Sequence, residues 1–169
     1  MDQANVNFEV YEDGAIFYGF ASVVMPTLSN LVTQISGAGI AGNIDAVMLG
    51  LMDAMEVGIN FRTTTPDSIK LSELRRHHLD FRIAQNHENS VDDSLYVVPE
   101  KHVMVVVPKS HNVGNVAPNS TTGASGTYAV RYWATWINGV KVREVSPEDY
   151  IYEVDGVDYL ASVRKALGK

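Results

Sequence analysis

The stretch from Leu28 to Thr65, LSNLVTQISGAGIAGNIDAVMLGLMDAMEVGINFRTTT, constrains this chain more than any other. From Met55 onward, Met55, Val57, Ile59 and Phe61 alternate with Glu56, Gly58, Asn60 and Arg62. A period of two is the mark of a strand with one buried and one wet face. Upstream, Leu49 and Leu51 continue the apolar series, Asp53 interrupts it, and Met52 falls on the polar side. Leu31, Thr33 and Ile35 alternate more weakly with Asn30, Val32, Gln34 and Ser36. Between these arms, Gly37, Gly39 and Gly42 supply backbone freedom for a loose turn. The pattern predicts one long hairpin over 28–65, with arms longer than the usual strand of about 5–6 residues. Such a hairpin carries more backbone than a small domain can pair, which predicts pairing with other subunits.

The remaining segments predict a mainly β (β + α) antiparallel domain. Residues 1–7 read as a polar arm, followed by strands at Phe8–Tyr11 and Ala15–Met25 around an Asp13-Gly14 turn. Thr65-Pro66-Asp67 supplies a cap, a proline at the first helical position and an early acid. The spacing of Ile69, Leu71 and Leu74 predicts a flanking helix over 67–78. Leu79, Phe81 and Ile83 return to strand alternation, and residues 86–94 form a polar turn. Leu95–Val98 and His102–Val107 read as two strands divided by Pro99-Glu100-Lys101. The Ser-, Asn-, Gly- and Thr-rich segment 108–126 predicts a flexible loop. Asn138-Gly139 joins strands at Tyr128–Ile137 and Val140–Val145, and a further strand covers Tyr150–Val154. Asp155 or Asp158 caps a C-terminal helix in which Leu160, Val163 and Leu167 share a face. Arg164 and Lys165 occupy its last turn, and Gly168 stops it.

With 169 residues and no internal repeat, residues 1–169 predict a single domain with a real core. The absence of cysteine excludes disulfides, thiolate catalysis and Cys-based zinc sites. No apolar run approaches the roughly 20 residues of a membrane helix. The opening MDQANVNFEVYEDG lacks the basic and apolar regions of a signal peptide, which predicts a chain made and kept in a cytoplasm. A net charge of −7 argues against binding nucleic acid by phosphate neutralisation. It leaves room for a weakly repulsive surface past which nucleic acid slides.

Catalytic and binding constellations are weak. G-x-S-x-G, H-E-x-x-H and G-x-x-x-x-G-K-[ST] are absent. Gly37-Ala38-Gly39-Ile40-Ala41-Gly42 satisfies G-x-G-x-x-G in letters only, because a strand rather than a helix follows it. His77 and His78 are adjacent and point differently, and His87-Glu88 with Asp92 and Asp93 reads as a solvated turn before a metal site. Asp92-Asp93 and Glu148-Asp149 sit in predicted turns with no apolar pocket to raise a pKa. Tyr128, Tyr132, Trp133 and Trp136 alternate on strands and read as core and subunit-interface residues rather than base-stacking platforms. No catalytic residue, metal or cofactor is expected. The competing class, a small-ligand-binding β-barrel, needs polar groups converging in an apolar pocket.

Four stretches taken together resemble the major tail tube protein family of contractile-tailed phages. They are NFEVYEDGAIFYGFASVVMPTLSNL, ISGAGIAGNIDAVMLGLMDAMEVGINFRT, RYWATWINGVKVREVSPEDY and VDGVDYLASVRKALG, and they run from Asn7 to Gly168. The resemblance implies an antiparallel β-sandwich or barrel-like domain with a flanking helix and a C-terminal helix. It also implies that six copies form a ring, that rings stack into a hollow tube, and that the long hairpins pair edge to edge around the lumen, removing exposed edges. On that reading Gln34, Ser36, Glu56, Asn60 and Arg62 line the channel. The implied partners are the chain itself, a tail sheath protein, a baseplate initiator and a tail terminator, with DNA passing through the lumen unbound. The implied location is a virion tail assembled in the host cytoplasm. The alternative is the tube of a phage-derived bacteriocin or a related contractile injection or secretion system.

Overall fold

Met55, Val57, Ile59 and Phe61 are each at most 3% exposed, while Glu56 lies in solvent and Gly58 and Asn60 are half-buried. The alternation read from Met55 onward is therefore the alternation of the folded strand. A computed structural model describes residues 2–17 and 20–169. Its strands are β1 (Asp2–Glu12), β2 (Ala15–Phe17), β3 (Phe20–Val24), β4 (Asn30–Ile35), β5 (Ile44–Met52) and β6 (Met55–Phe61), followed by β7 (His77–Glu88) and β8 (Leu95–Asn112). Then come β9 (Ser125–Ile137), β10 (Val140–Ser146), β11 (Ile151–Val154) and β12 (Val157–Asp158); the helices are α1 (Pro66–Lys70) and α2 (Ala161–Ala166).

All pairing is antiparallel, in the order β12-β11-β10-β9-β8-β7-β1-β2, with β6 lying between β9 and β3. β9 is the fork: Ser125–Val130 pairs with β6, and Trp133–Ile137 pairs with β10. Where it changes partner, Val105 faces Tyr132 and Val106 faces Val130, so Arg131 bulges out of the ladder with β8. A bulge adds local twist and bends the strand, which lets one strand serve two layers. Only residues 18 and 19 separate β2, which pairs with β1, from β3, which pairs with β6. The ladder thus leaves and returns to neighbouring stretches of chain, and the strands wrap a barrel-like core of Val57, Ile59, Phe61, Phe81, Met104 and Tyr128. Burying each such aliphatic or aromatic side chain contributes about 1.5–3 kcal/mol.

Several elements differ from expectation. The segment 1–7 is not a free arm from Asp2 on, because Asp2 pairs with His87 and Ala4 with Asn86. Register shifts between Asp2 and Ala4 and between Asn5 and Asn7 erase the period of two that would have marked it as a strand. The expected single strand from Ala15 to Met25 crosses residues 18 and 19, which lie outside the described residues. The helix expected over 67–78 ends at Lys70. Thr65 and Ser68 form a reciprocal capping box, but Leu71 is buried while Leu74 is 91% exposed, so no apolar stripe carries the helix further.

Pro99 does not divide β8. It sits opposite Ala84, and its carbonyl accepts from the Asn138 amide at 2.9 Å. Pro108 lies at a register shift, one of the places a ladder tolerates a missing donor. The loop expected over 108–126 shrinks to 113–124, since Asn112 pairs with Ser125. Its end is tied down: the Ala124 carbonyl accepts from the Phe61 amide at 2.7 Å. Asp155 (φ 50°) and Gly156 (φ 82°) form a hairpin turn between β11 and β12 rather than a helix cap. α2 starts after Leu160 without a side-chain cap, and Leu167 is exposed instead of sharing Leu160's buried side.

Candidate assembly surface

The long hairpin is two structures. Among the described residues β4 pairs only with β5, in a two-stranded sheet separate from the main one, and β6 belongs to the main sheet. The division falls at Asp53-Ala54, where the apolar alternation broke. Asp53 donates its amide to the Ser29 carbonyl at 2.8 Å, and its carboxylate accepts from the Ala54 amide at 2.8 Å. These bonds pin the root of the hairpin, and Met52 packs on the core. The second arm expected to run unbroken to Arg62 is therefore corrected to β5, a pinned corner and β6.

The ladder of this hairpin is regular from Ile35–Ile44 to Val32–Val47 and then jumps to Asn30–Met52. Residues 48–51 of β5 thus stand opposite Leu31 alone, a wide bulge. At its centre Gly50 has φ +67°, and a Cβ there would overlap the Leu160 side chain ahead of α2. Glycine answers both demands, the left-handed backbone and the close approach.

In and beyond the bulge the apolar side chains of the hairpin are left uncovered by the described residues. Leu31, Val32, Ile35, Ile44, Val47 and Leu49 are 42–61% exposed. Val32 and Val47 pair on one face, and Ile35 and Ile44 pair on the other, so both faces are apolar. A lone two-stranded hairpin is marginal in water, and an apolar one is a template for further association.

Of the proposed channel residues, Gln34 and Ser36 are exposed on and just beyond β4, with Gln34 opposite Asp45. Glu56, Asn60 and Arg62 follow the outer face of β6 in the main sheet. Glu56 pairs with the Lys109 ammonium at 2.5 Å, and Asn60 donates to the Ser22 hydroxyl at 2.9 Å across β3. The fold places these five residues on two sheets and does not bring them together within one chain. Gly37, Gly39 and Gly42 all lie in the 36–43 loop joining β4 to β5. Gly39 takes φ +93°, while Gly42 has no positive φ.

The other sequence candidates have structural partners. Among the described residues no three His, Asp or Glu side chains gather as metal ligands. Asp92 accepts from the hydroxyl and amide of Ser94, which hold its carboxyl below the usual range. Glu148 receives Arg76 at 2.9 Å and Arg131 at 3.3 Å. Trp133 is buried with the Arg143 guanidinium 4.0 Å above its ring, and Trp136 lies under Lys101 at 5.4 Å. Burial pushes the Tyr128 hydroxyl up to about 12. A buried cluster escaped the sequence reading: Glu12 Oε1 meets His77 Nδ1 at 2.7 Å and Arg75 at 2.9 Å. It joins positions that only the β1–β7 pairing brings together. Gly50 carried a readable signal, since a glycine inside an apolar strand marks a bulge or a close approach.

The sequence pattern of the family described as phage tail tube protein FII matches residues 4–168. No curated protein sequence matches the chain. Among solved structures, a chain from a cryo-EM structure of an extracellular contractile injection system, the PVC sheath/tube terminator in the extended state, superimposes with a TM-score of 0.52. The two are 14% identical, over 78% of this chain and 94% of that one. A chain of the PVC sheath–tube complex gives a TM-score of 0.49 at 14% identity, over 76% and 87%. The first likeness is one of fold, a mainly antiparallel β domain with two short helices. Because the family pattern spans nearly the whole chain, this protein belongs to the phage tail tube protein FII family, whose members are structural tail-tube subunits and not enzymes.

Proposed function

We propose that six copies of this chain close into a ring, that rings stack into a hollow tube, and that the tube conducts DNA during ejection. The observation that carries this reading is the β4–β5 hairpin, pinned at its root and apolar on both exposed faces. Association with other copies removes that surface from water and pairs the free strand edges. Gln34, Ser36, Glu56, Asn60 and Arg62 then face the channel, contributed by hairpin and β6 surfaces of the assembled ring. An acidic chain is suited to a wall that leaves DNA mobile, since like charge keeps a polyanion from sticking. A sheath outside the tube, a baseplate initiator and a tail terminator complete the set of partners, in a virion tail assembled in the host cytoplasm.

The test is assembly of the purified chain. Concentrated protein forms hollow rods in negative stain, whereas a variant with residues 32–47 replaced by a short Gly-Ser turn stays a folded monomer. Rods from that variant at wild-type yield would sink the reading. The same subunit physics serves a bacteriocin or secretion tube, and capsid and packaging genes beside this one separate the two.

A further inference from the structure

His77 opens β7 fully buried, and both of its ring nitrogens face oxygen. Nδ1 lies 2.7 Å from Oε1 of Glu12, the last residue of β1, and Nε2 lies 2.9 Å from the main-chain carbonyl of Glu73. A carbonyl oxygen can only accept, so Nε2 carries a proton and donates it there. The oxygen at the other nitrogen also receives the Arg75 guanidinium at 2.9 Å. That cation favours the carboxylate over the carboxylic acid, so the proton between Glu12 and His77 rests on the ring. We propose that His77 is a buried imidazolium and that its second proton is the latch holding the 71–76 segment to the end of β1.

The local charge agrees. The ionisable groups facing the ring are Glu12 from β1 and Glu73 and Arg75 from the segment before β7, while its partner on β8 is Val106. Arg75 also meets Glu73 at 2.8 Å, so one guanidinium serves two carboxylates. With a neutral imidazole the group would keep an uncompensated negative charge beside a Glu12 that is 3% exposed. With an imidazolium it is neutral, which is what a buried carboxylate needs. The 71–76 segment also carries the buried Leu71 and, through Arg76, a pair with Glu148 at 2.9 Å. The latch thereby ties the end of β1 to a segment that reaches the β10–β11 connection. A neutral ring donates from one nitrogen only. The other turns a lone pair toward an oxygen, and its bond is lost. The latch is whole while the ring holds both protons and opens as rising pH removes one.

Ring-nitrogen NMR of the isotope-labelled chain near neutral pH reads the protons directly. His77 is expected to show two protonated nitrogens. His102, whose Nδ1 accepts the Trp133 N–H, is expected to show one bare nitrogen in the same spectrum. A bare nitrogen on His77 overturns the proposal. Glu12→Gln removes the charge that holds the proton while keeping the shape of the side chain, and His77 should then show one bare nitrogen. Two protonated nitrogens in that variant overturn the role given to Glu12. Opening is read with trypsin, which cuts after Arg75 and Arg76 once the segment has left its ion pairs. Normalised to a peptide of the same sequence, cleavage there is expected to rise about tenfold as pH is raised through loss of the His77 proton, because a charge-assisted bond goes with it. His77→Gln, which cannot donate at both places, should be cut at the raised rate at every pH. Cleavage of the wild-type chain that does not follow the His77 proton overturns the latch, even where the ring is charged.

Discussion

The indole N–H of Trp133 donates to Nδ1 of His102 at 3.1 Å, and this one bond fixes the histidine's chemistry. An indole nitrogen can only donate, so Nδ1 must keep its lone pair and Nε2 must carry the proton. Nε2 then donates to Glu100 at 2.6 Å, and Thr135 shares Nδ1 at 3.0 Å. Burial holds the His102 pKa below the ordinary value against the pull of Glu100, and the nearby Arg143 charge lowers it further.

The pH dependence follows with a definite sign. A histidine kept neutral in the folded state takes up its proton first in the unfolded state. Its contribution is therefore complete above the ordinary histidine pKa of about 6.5 and is lost as pH falls below that, through the lowered folded value. Urea unfolding between pH 7.5 and 5 is expected to show a decline with a limiting slope of about 1.4 kcal/mol per pH unit. His102→Leu should remove that part of the slope, at a cost of about 1–3 kcal/mol at pH 7.5 where the Trp133 donor loses its acceptor. An identical slope in the variant would refute the assignment.

Gly50→Ala should be destabilising through two causes at once, a left-handed backbone angle and overlap with Leu160. The expected cost is about 1–3 kcal/mol. Leu160→Ala alone leaves a cavity beside the root, but in the double variant it makes room for the new methyl. Denaturant melts of the four proteins in a double-mutant cycle should show a coupling of at least about 0.5 kcal/mol. Strict additivity would mean the two residues do not touch.

Two prolines separate the body from the hairpin. Ile59→Pro falls in β6, between β3 and β9, where Ile59 is buried, and should leave no folded protein. Thr33→Pro falls in β4, outside the main sheet, and should give a folded monomer with a normal melt that makes no rods. Folded, assembling Ile59→Pro protein would show β6 to be peripheral.

Neighbouring lysines test the register. Val57→Lys drives a charge into the core and should abolish soluble protein. Glu56→Lys faces Lys109 across the outer surface and should cost no more than about 1 kcal/mol, with Glu56→Lys/Lys109→Glu restoring the stability. On the proposed placement of Glu56 in the channel, rods should still form from Glu56→Lys but release DNA more slowly, because a positive residue there attracts phosphates. The reverse pattern of folding would shift the strand by one residue and move every outward residue inward.

What could be read in advance was whatever one strand decides for itself. Met55–Phe61 announces its buried face because one side meets the core and the other does not. The turns at Asp13-Gly14 and Asn138-Gly139 announce themselves because consecutive positive φ angles favour few residues. The Asp155-Gly156 turn carried the same signal, but the apolar spacing after it suggested a longer helix. The start of β1 was hidden by its bulges, and the stop of α1 by the absence of anything for Leu74 to pack on. The Glu12–His77 contact depends on segments distant in the chain and no local period records it, whereas the split at Asp53 shows in the sequence only as a break in the apolar alternation.

The seat of Gly50 against Leu160 also imposes an order in time. Gly50 leaves the ribosome before Leu160, so the bulge can pack on the Leu160 side chain only after the later segment has been made, although the Asp53–Ser29 bond at the root joins residues already present. Until then the bulge lacks its Leu160 packing. The exposed apolar hairpin thus gains its last intrachain support from the C-terminal segment, so a chain shortened before Leu160 would carry the same adhesive surface on a less supported root.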